Sequence, residues 1–84
     1  MTDTSPSTMT SHRWTITVAG ARLRHVRRQH GLSQDQLAAK AGISRATVAR
    51  LERHPSASCR SRTLARLAAA LGEDPAGLIP ARQP

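Results

Sequence analysis

Cysteines, aromatic residues and acids are scarce in this sequence of 84 residues. Cys59 is the only cysteine, so no disulfide can form within the chain and nothing indicates an oxidising compartment. No apolar run approaches the ~20 residues that a membrane-spanning helix needs. The N-terminus also lacks the apolar stretch of a secretory signal. We therefore expect a cytoplasmic protein that does not associate with a membrane.

The shortage of acids also argues against catalysis. The five acidic residues form no acid–base pair on a common face, and no glycine-rich phosphate loop or nucleophile elbow is present. His25 and His30 do not share a helix face, and His54 and Cys59 lack the two further ligands of a zinc site. We expect no enzyme activity, no cofactor and no metal.

Positive charge is abundant. Thirteen Lys and Arg against five Asp and Glu give a formal net charge of +8. Such an excess points to a polyanionic partner: DNA, RNA or an acidic membrane surface. Part of the excess has another explanation, because Lys40 is the only lysine and an arginine-rich proteome would produce the same bias.

The chain divides into three parts. Residues 1–13 are rich in Ser and Thr and are expected to form a disordered tail, and residues 81–84 a short polar end. A folded domain is expected over 14–80. The alternating stretch Trp14–Val18 fits a short strand, but an isolated strand would have no partner unless a second chain supplied one. We expect an irregular lead-in there, with Trp14 over the core.

Apolar spacing and helix-stop residues predict a compact all-α domain of five helices. The loop between the third and fourth helices is expected over His54–Arg60, because Pro55 prevents continuation of the third helix. The predicted helices are about Val18–Gln29, Gln34–Ala41, Arg45–Arg53 and Arg62–Leu71, followed by a short one opened by Asp74-Pro75.

The second and third predicted helices have the pattern of a helix-turn-helix. Ser33 with Gln36 forms a capping box, Ser44 caps the next helix, and Gly42 tolerates the positive φ that ends the first helix of the pair. Apolar and small residues lie where two crossing helices must meet. The residues that carry the pattern are Gln34, Leu37, Ala38, Ala41, Gly42, Ile43, Val48 and Leu51.

These residues make the chain from Gly20 to Ile79 resemble the Cro/C1-type helix-turn-helix family of phage repressors and bacterial XRE-like regulators. The resemblance rests on LRHVR, GLSQDQLAAKAGIS, VARLE and LARLAAALG in that order. It implies a lambda-repressor-like fold and a transcriptional regulator, in particular a repressor, that binds specific sequences of double-stranded DNA. The chain departs from the family between Glu52 and Leu64, where the usual glycine and proline are absent and the loop is one residue longer.

The third predicted helix is the one expected to enter the major groove. Arg45 can donate two hydrogen bonds to guanine O6 and N7. Ala46 and the methyl group of Thr47 can contact a thymine methyl, and Arg50 can reach a base or a phosphate. The alternative for the arginines is a solvated helix face.

Phosphate contacts are expected from the helix starts. The resemblance assigns Gln34 a phosphate contact and a bracing role, and helix N-termini, here at Ser33 and Ser44, bind phosphate. Ser33 has the alternative role of a simple cap. Arg60 and Arg62 are either phosphate contacts or part of a flexible basic loop.

The resemblance also pairs Arg27 with Glu52, which we interpret as a structural ion pair. We expect a weak homodimer on an inverted repeat, with contacts near residues 73–80, because one small domain reads few base pairs. Two other functions stay open: a protein-binding partner such as an antitoxin, and a DNA-binding accessory domain without sequence preference. An exposed apolar surface around Trp14–Val18 would favour the protein-binding partner.

Overall fold

The computed structural model describes residues 15–55 and 57–80. This part contains four α-helices, one short 3-10 helix and one antiparallel sheet of two strands. In chain order the elements are β1 (Thr15–Thr17), α1 (Gly20–Gln29), α2 (Gln34–Ala41), α3 (Arg45–Arg53), β2 (Ser58–Arg60), α4 (Ser61–Leu71) and the 3-10 helix (Pro75–Leu78). The predicted tails and the position of Trp14 lie outside the described residues.

The helices follow the predicted pattern closely. The bounds of α2 and α3 coincide with the prediction, α1 begins later, at Gly20, and α4 begins one residue earlier, at Ser61. The expected all-α architecture of five helices is not confirmed. The described residues form four α-helices, and the last predicted helix is a single 3-10 turn, in which Asp74 accepts a hydrogen bond from the Ala76 N–H.

The irregular lead-in expected at Trp14–Val18 is wrong for the residues that are described. Thr15–Thr17 is a strand, and it pairs with Ser58–Arg60, in the second half of the segment expected as a loop. Ile16 is opposite Cys59 in this register, and the pairing continues as the Val18 N–H donates to the Ala57 carbonyl at 2.8 Å. The strand has a partner within its own chain, so no second chain is needed.

The sheet turns its apolar side chains inward. Cys59 is buried, the partly buried Ile16 packs against the core, and the neighbours of each along its strand are exposed. Val18, directly after β1, is fully buried. The described part of this stretch therefore does not form the exposed apolar surface that would have favoured a protein-binding partner. Burial raises the pKa of the Cys59 thiol.

One hydrophobic core joins all the helices. Its fully buried side chains are aliphatic, and within the described ranges no helix is long and apolar enough to cross a membrane. The core side chains with almost no exposed surface are Val18, Leu23, Val26, Leu37, Val48, Leu51, Leu64, Leu67, Leu71 and Leu78.

The turn between α2 and α3 is built from local hydrogen bonds. Gly42 ends α2 with φ +72°, a left-handed conformation in which a side chain would be strained. The N–H groups of Gly42 and Ile43 donate back to the carbonyls of Ala39 and Ala38. These bonds satisfy the last turn of α2 and direct the chain into α3.

Candidate nucleic-acid interface

One side of α3 is anchored in the core and the other is open to solvent. Val48 and Leu51 are fully buried, whereas Arg45, Ala46 and Arg50 are exposed. Three of the four predicted base-reading residues therefore share an open face. The fourth, Thr47, is half-buried, and its hydroxyl lies 2.9 Å from the Ser44 hydroxyl.

Arg27 and Glu52 form a buried bidentate ion pair between α1 and α3. Arg27 donates from Nε to Glu52 Oε2 at 2.6 Å and from Nη2 to Oε1 at 2.9 Å. Its Nη1 donates to the Leu32 carbonyl at 2.7 Å, so the guanidinium also fixes the loop that precedes α2. The hydrogen bonds with Glu52 raise the pKa of Arg27 above its ordinary value. A charged group held in this way orients α3 against the rest of the domain.

Gln34 contacts the same carboxylate. Its Nε2 donates to Glu52 Oε1 at 3.2 Å, so its side chain joins the start of α2 to α3. This contact is of the bracing kind, and the structure contains no phosphate with which to examine the other assigned role. Arg24, which sequence reasoning missed, lies with Nε 4.0 Å from the same oxygen and is half-exposed. The start of α2 is therefore flanked by a cationic side chain.

The serines at the helix starts act as caps. Ser33 Oγ accepts from the Gln36 N–H at 3.0 Å while the Gln36 side chain accepts from the Ser33 N–H at 2.8 Å. Ser44 Oγ accepts from the Thr47 N–H at 3.1 Å. Both caps engage the third N–H of their helix, and the earlier N–H groups have no partner within the helix. Such groups are suited to bind an anion.

A second basic region lies at the start of α4. Arg60 precedes the helix, Arg62 is in its first turn, and both are exposed. Arg66, one turn further on, reaches from Nη1 to the Gly42 carbonyl at 3.4 Å. Sequence reasoning missed Arg66, although its spacing of four from Arg62 places both on one helix face. This contact brings α4 beside the turn between α2 and α3.

A close backbone contact between α1 and α3 was also missed. A Cβ atom at Gly20 would lie 2.3 Å from the Leu51 carbonyl oxygen, which is closer than atoms can approach. Only glycine therefore fits at the start of α1 without a shift of backbone. No local signal in the sequence indicates this, because the contacted carbonyl belongs to a distant segment.

One acid lies at the start of the open face of α3. Asp35, in the first turn of α2, has Oδ1 3.5 Å from Arg45 Nε, and both side chains are largely exposed. Asp35 was not among the predicted site residues. Among the described residues no group of three His, Cys, Asp or Glu side chains is arranged to hold a metal ion.

Comparison with known proteins identifies this arrangement. The helix-turn-helix family profile matches residues 23–78, and the chain belongs to this Cro/C1-type family of DNA-binding transcriptional regulators. No curated protein matches.

Two similar solved structures are both regulators. The restriction-modification controller protein C.AhdI from Aeromonas hydrophila is 37% identical, with a TM-score of 0.66 over 71% of this chain and 89% of that one. SinR, described as the master regulator for biofilm formation and solved in complex with DNA, is 26% identical, with a TM-score of 0.66 over 69% of this chain and 92% of its own.

Proposed function

We propose that this protein binds specific sequences of double-stranded DNA as a transcriptional repressor, with α3 in the major groove. The observation that carries the proposal is the exposed face of α3, where Arg45, Ala46 and Arg50 project from a helix anchored by buried Val48 and Leu51. An α-helix fits the major groove, where each base pair presents a distinct pattern of donors and acceptors. Repression is the simplest outcome, because a protein bound at a promoter excludes polymerase. The cell's DNA, and hence this activity, would be in the cytoplasm.

Four residues would read the bases. Arg45 opens α3 and would donate two hydrogen bonds to guanine O6 and N7. Ala46 and Thr47 would contact thymine methyl groups; the Thr47 hydroxyl is engaged by Ser44, so its methyl group is the part left for DNA. Arg50, about one turn further along, would reach a base or a phosphate. Their order along α3 assigns them to successive base pairs.

The phosphate contacts would flank this helix. Ser33, Gln34 and Ser44 lie at the N-termini of α2 and α3, and Arg60 and Arg62 at the start of α4. The contact of Arg66 with the Gly42 carbonyl supports one continuous surface, because it joins α4 to the helix-turn-helix. Contacts of this kind position the protein on the duplex and carry no sequence information directly.

A homodimer on an inverted repeat would supply the specificity that one domain lacks. Leu78 is fully buried in its own core, so it would not form the dimer contact. Ile79 is 37% exposed and is the one large hydrophobic residue that the described part of the chain leaves exposed. We place the dimer contact around Ile79, with half-sites about one helical turn apart, ~10–10.5 base pairs.

Selection of bound duplexes from a random pool tests the function. We expect a motif with inverted symmetry, and Arg45→Ala should relax one position in each half-site and weaken binding by ~1–3 kcal/mol. The Arg22→Ala variant provides the control, since Arg22 pairs with Glu73 beyond the end of α4. The absence of any motif would support binding without sequence preference and refute the proposal.

The spacing of half-sites tests the dimer. Inserting five base pairs rotates one half-site to the far side of the duplex, so cooperative binding should disappear, whereas inserting ten should restore part of it. Ile79→Asp should weaken cooperativity while leaving the contact with a single half-site unchanged. A single unpaired half-site, bound by one protein, would contradict the dimer.

A further inference from the structure

The ion pair between Asp35 and Arg45 joins the first turns of α2 and α3. The distance from Arg45 Nε to Asp35 Oδ1 is 3.5 Å, and the side chains are 64% and 77% exposed. The pair therefore lies at the solvent edge of the open face of α3. Its arginine is the residue proposed to read guanine.

Helix capping does not account for the position of Asp35. The cap of α2 is already complete, because Ser33 and Gln36 exchange hydrogen bonds in a capping box. An acid in the first turn also interacts with the helix dipole, but that interaction does not require a contact with Arg45. An ion pair this exposed contributes little to folding stability, since water screens both charges. Its consequence is to be sought in the orientation of Arg45.

The contact at Nε leaves the useful edge of the guanidinium free. This group is planar and has five N–H donors in fixed directions. When a carboxylate holds Nε, both terminal nitrogens still present donors on the outer edge. Two parallel donors on one edge match the acceptor pair O6 and N7 of guanine in the major groove.

We propose that Asp35 is a positioning residue for base reading, which holds Arg45 through Nε so that its two terminal nitrogens face one guanine. This inference rests on the proposed function. Asp35 limits the rotation of a long side chain before DNA arrives, so less conformational freedom is lost on binding.

The charge of Asp35 acts in the same direction. A carboxylate beside the reading helix repels phosphate, and it competes with phosphate for the Arg45 guanidinium. On DNA without the guanine, Arg45 would otherwise turn to the backbone and form a contact that any sequence offers. Asp35 thus disfavours non-cognate DNA as well as favouring the cognate base, and both effects raise the specificity ratio.

The experiment compares Asp35→Asn with Glu73→Gln in the full chain. Glu73 also pairs with an exposed arginine, at 3.9 Å from Arg22, but it lies beyond the end of α4, so Glu73→Gln makes the same charge change away from α3. The reference duplex is the site selected by the wild-type protein. Dissociation constants are measured for this duplex, for the duplex altered at the base pair whose preference Arg45→Ala removes, and for a random duplex.

We expect Asp35→Asn to reduce the preference for that base pair by about two- to fivefold, the range of an exposed charge pair, with preferences elsewhere unchanged. Its affinity for the random duplex should rise more than that of Glu73→Gln. In the Arg45→Ala background the same substitution should have no effect on the preference. Asp35→Ala, which removes the acceptor altogether, should reproduce the loss.

Equal base preferences in the wild type and in both Asp35 variants would overturn the inference, as would an equal loss in Glu73→Gln. Melting curves of each variant separate these outcomes from a change in folding. Failure of the proposed function is distinguishable, because the wild-type protein would then select no motif at all.

Discussion

The α2–α3 pair and the β1–β2 sheet differ in how far apart in the chain their contacts lie. The helix pair is held by bonds between near neighbours: Ser33 with Gln36, Ser44 with Thr47, and Ile43 with Ala38. The sheet instead pairs Ile16 with Cys59, from opposite ends of the domain. Nearby residues meet for almost any course of the chain, whereas distant ones meet only once the core has formed. The comparison therefore separates what local chemistry specifies from what packing specifies.

The largest effect should come from the one buried contact that ties the helix pair to α1. Glu52→Ala leaves Arg27 unpaired in a site where it is only 8% exposed, so the free energy of unfolding should fall by ~3–5 kcal/mol. Arg27→Ala should act similarly, and the double variant should cost less than the sum of the two. Denaturant titration provides the measurement.

The control for this cycle is Glu73→Gln, which removes a half-exposed pair with Arg22 and should cost ~0–1 kcal/mol. Strict additivity of Arg27→Ala and Glu52→Ala would mean that the two side chains do not interact.

A smaller effect is expected from the sheet. Ile16→Ala removes a partly buried side chain that packs against the core, so stability should fall by ~1–2 kcal/mol, less than for a fully buried isoleucine. The opposite residue, Cys59, reports on the pairing: burial keeps this thiol covered and raises its pKa, so a thiol reagent should react slowly with the native wild-type protein.

In Ile16→Ala the reaction of Cys59 should accelerate under native conditions. Thr17→Ala is the matched control, because Thr17 is in the same strand but exposed, and its reaction rate should equal that of the wild type. Unchanged labelling in both variants would show that β1 does not protect Cys59.

The smallest effect on folding should come from the residue that links the sheet to DNA binding. Arg62 follows β2 directly in α4 and is exposed, so Arg62→Ala should leave the melting temperature within experimental error. The slope of log affinity against log salt concentration should become shallower by ~0.9 if one phosphate contact is lost. The selected motif should stay the same.

Arg22→Ala makes the same charge change near the far end of α4 and should leave the slope close to that of the wild type. An unchanged slope in Arg62→Ala would place this residue away from the DNA backbone.

The sequence by itself determined the helices and the faces they present. The bounds of α2 and α3 follow from capping serines, from Gly42 and from apolar spacing, because each of these signals acts within about one helical turn. The same spacing places Val48 and Leu51 inward and Arg45 and Arg50 outward. The family resemblance then supplied the roles proposed for these exposed residues.

Only the tertiary structure decided which distant residues meet. It paired β1 with a segment expected as a loop, placed Arg66 against the Gly42 carbonyl and brought Asp35 to Arg45. It also made Gly20 indispensable at the close approach of α1 to the Leu51 carbonyl. Such contacts leave no periodic trace in the sequence, because their partners become neighbours only when the helices pack into one core.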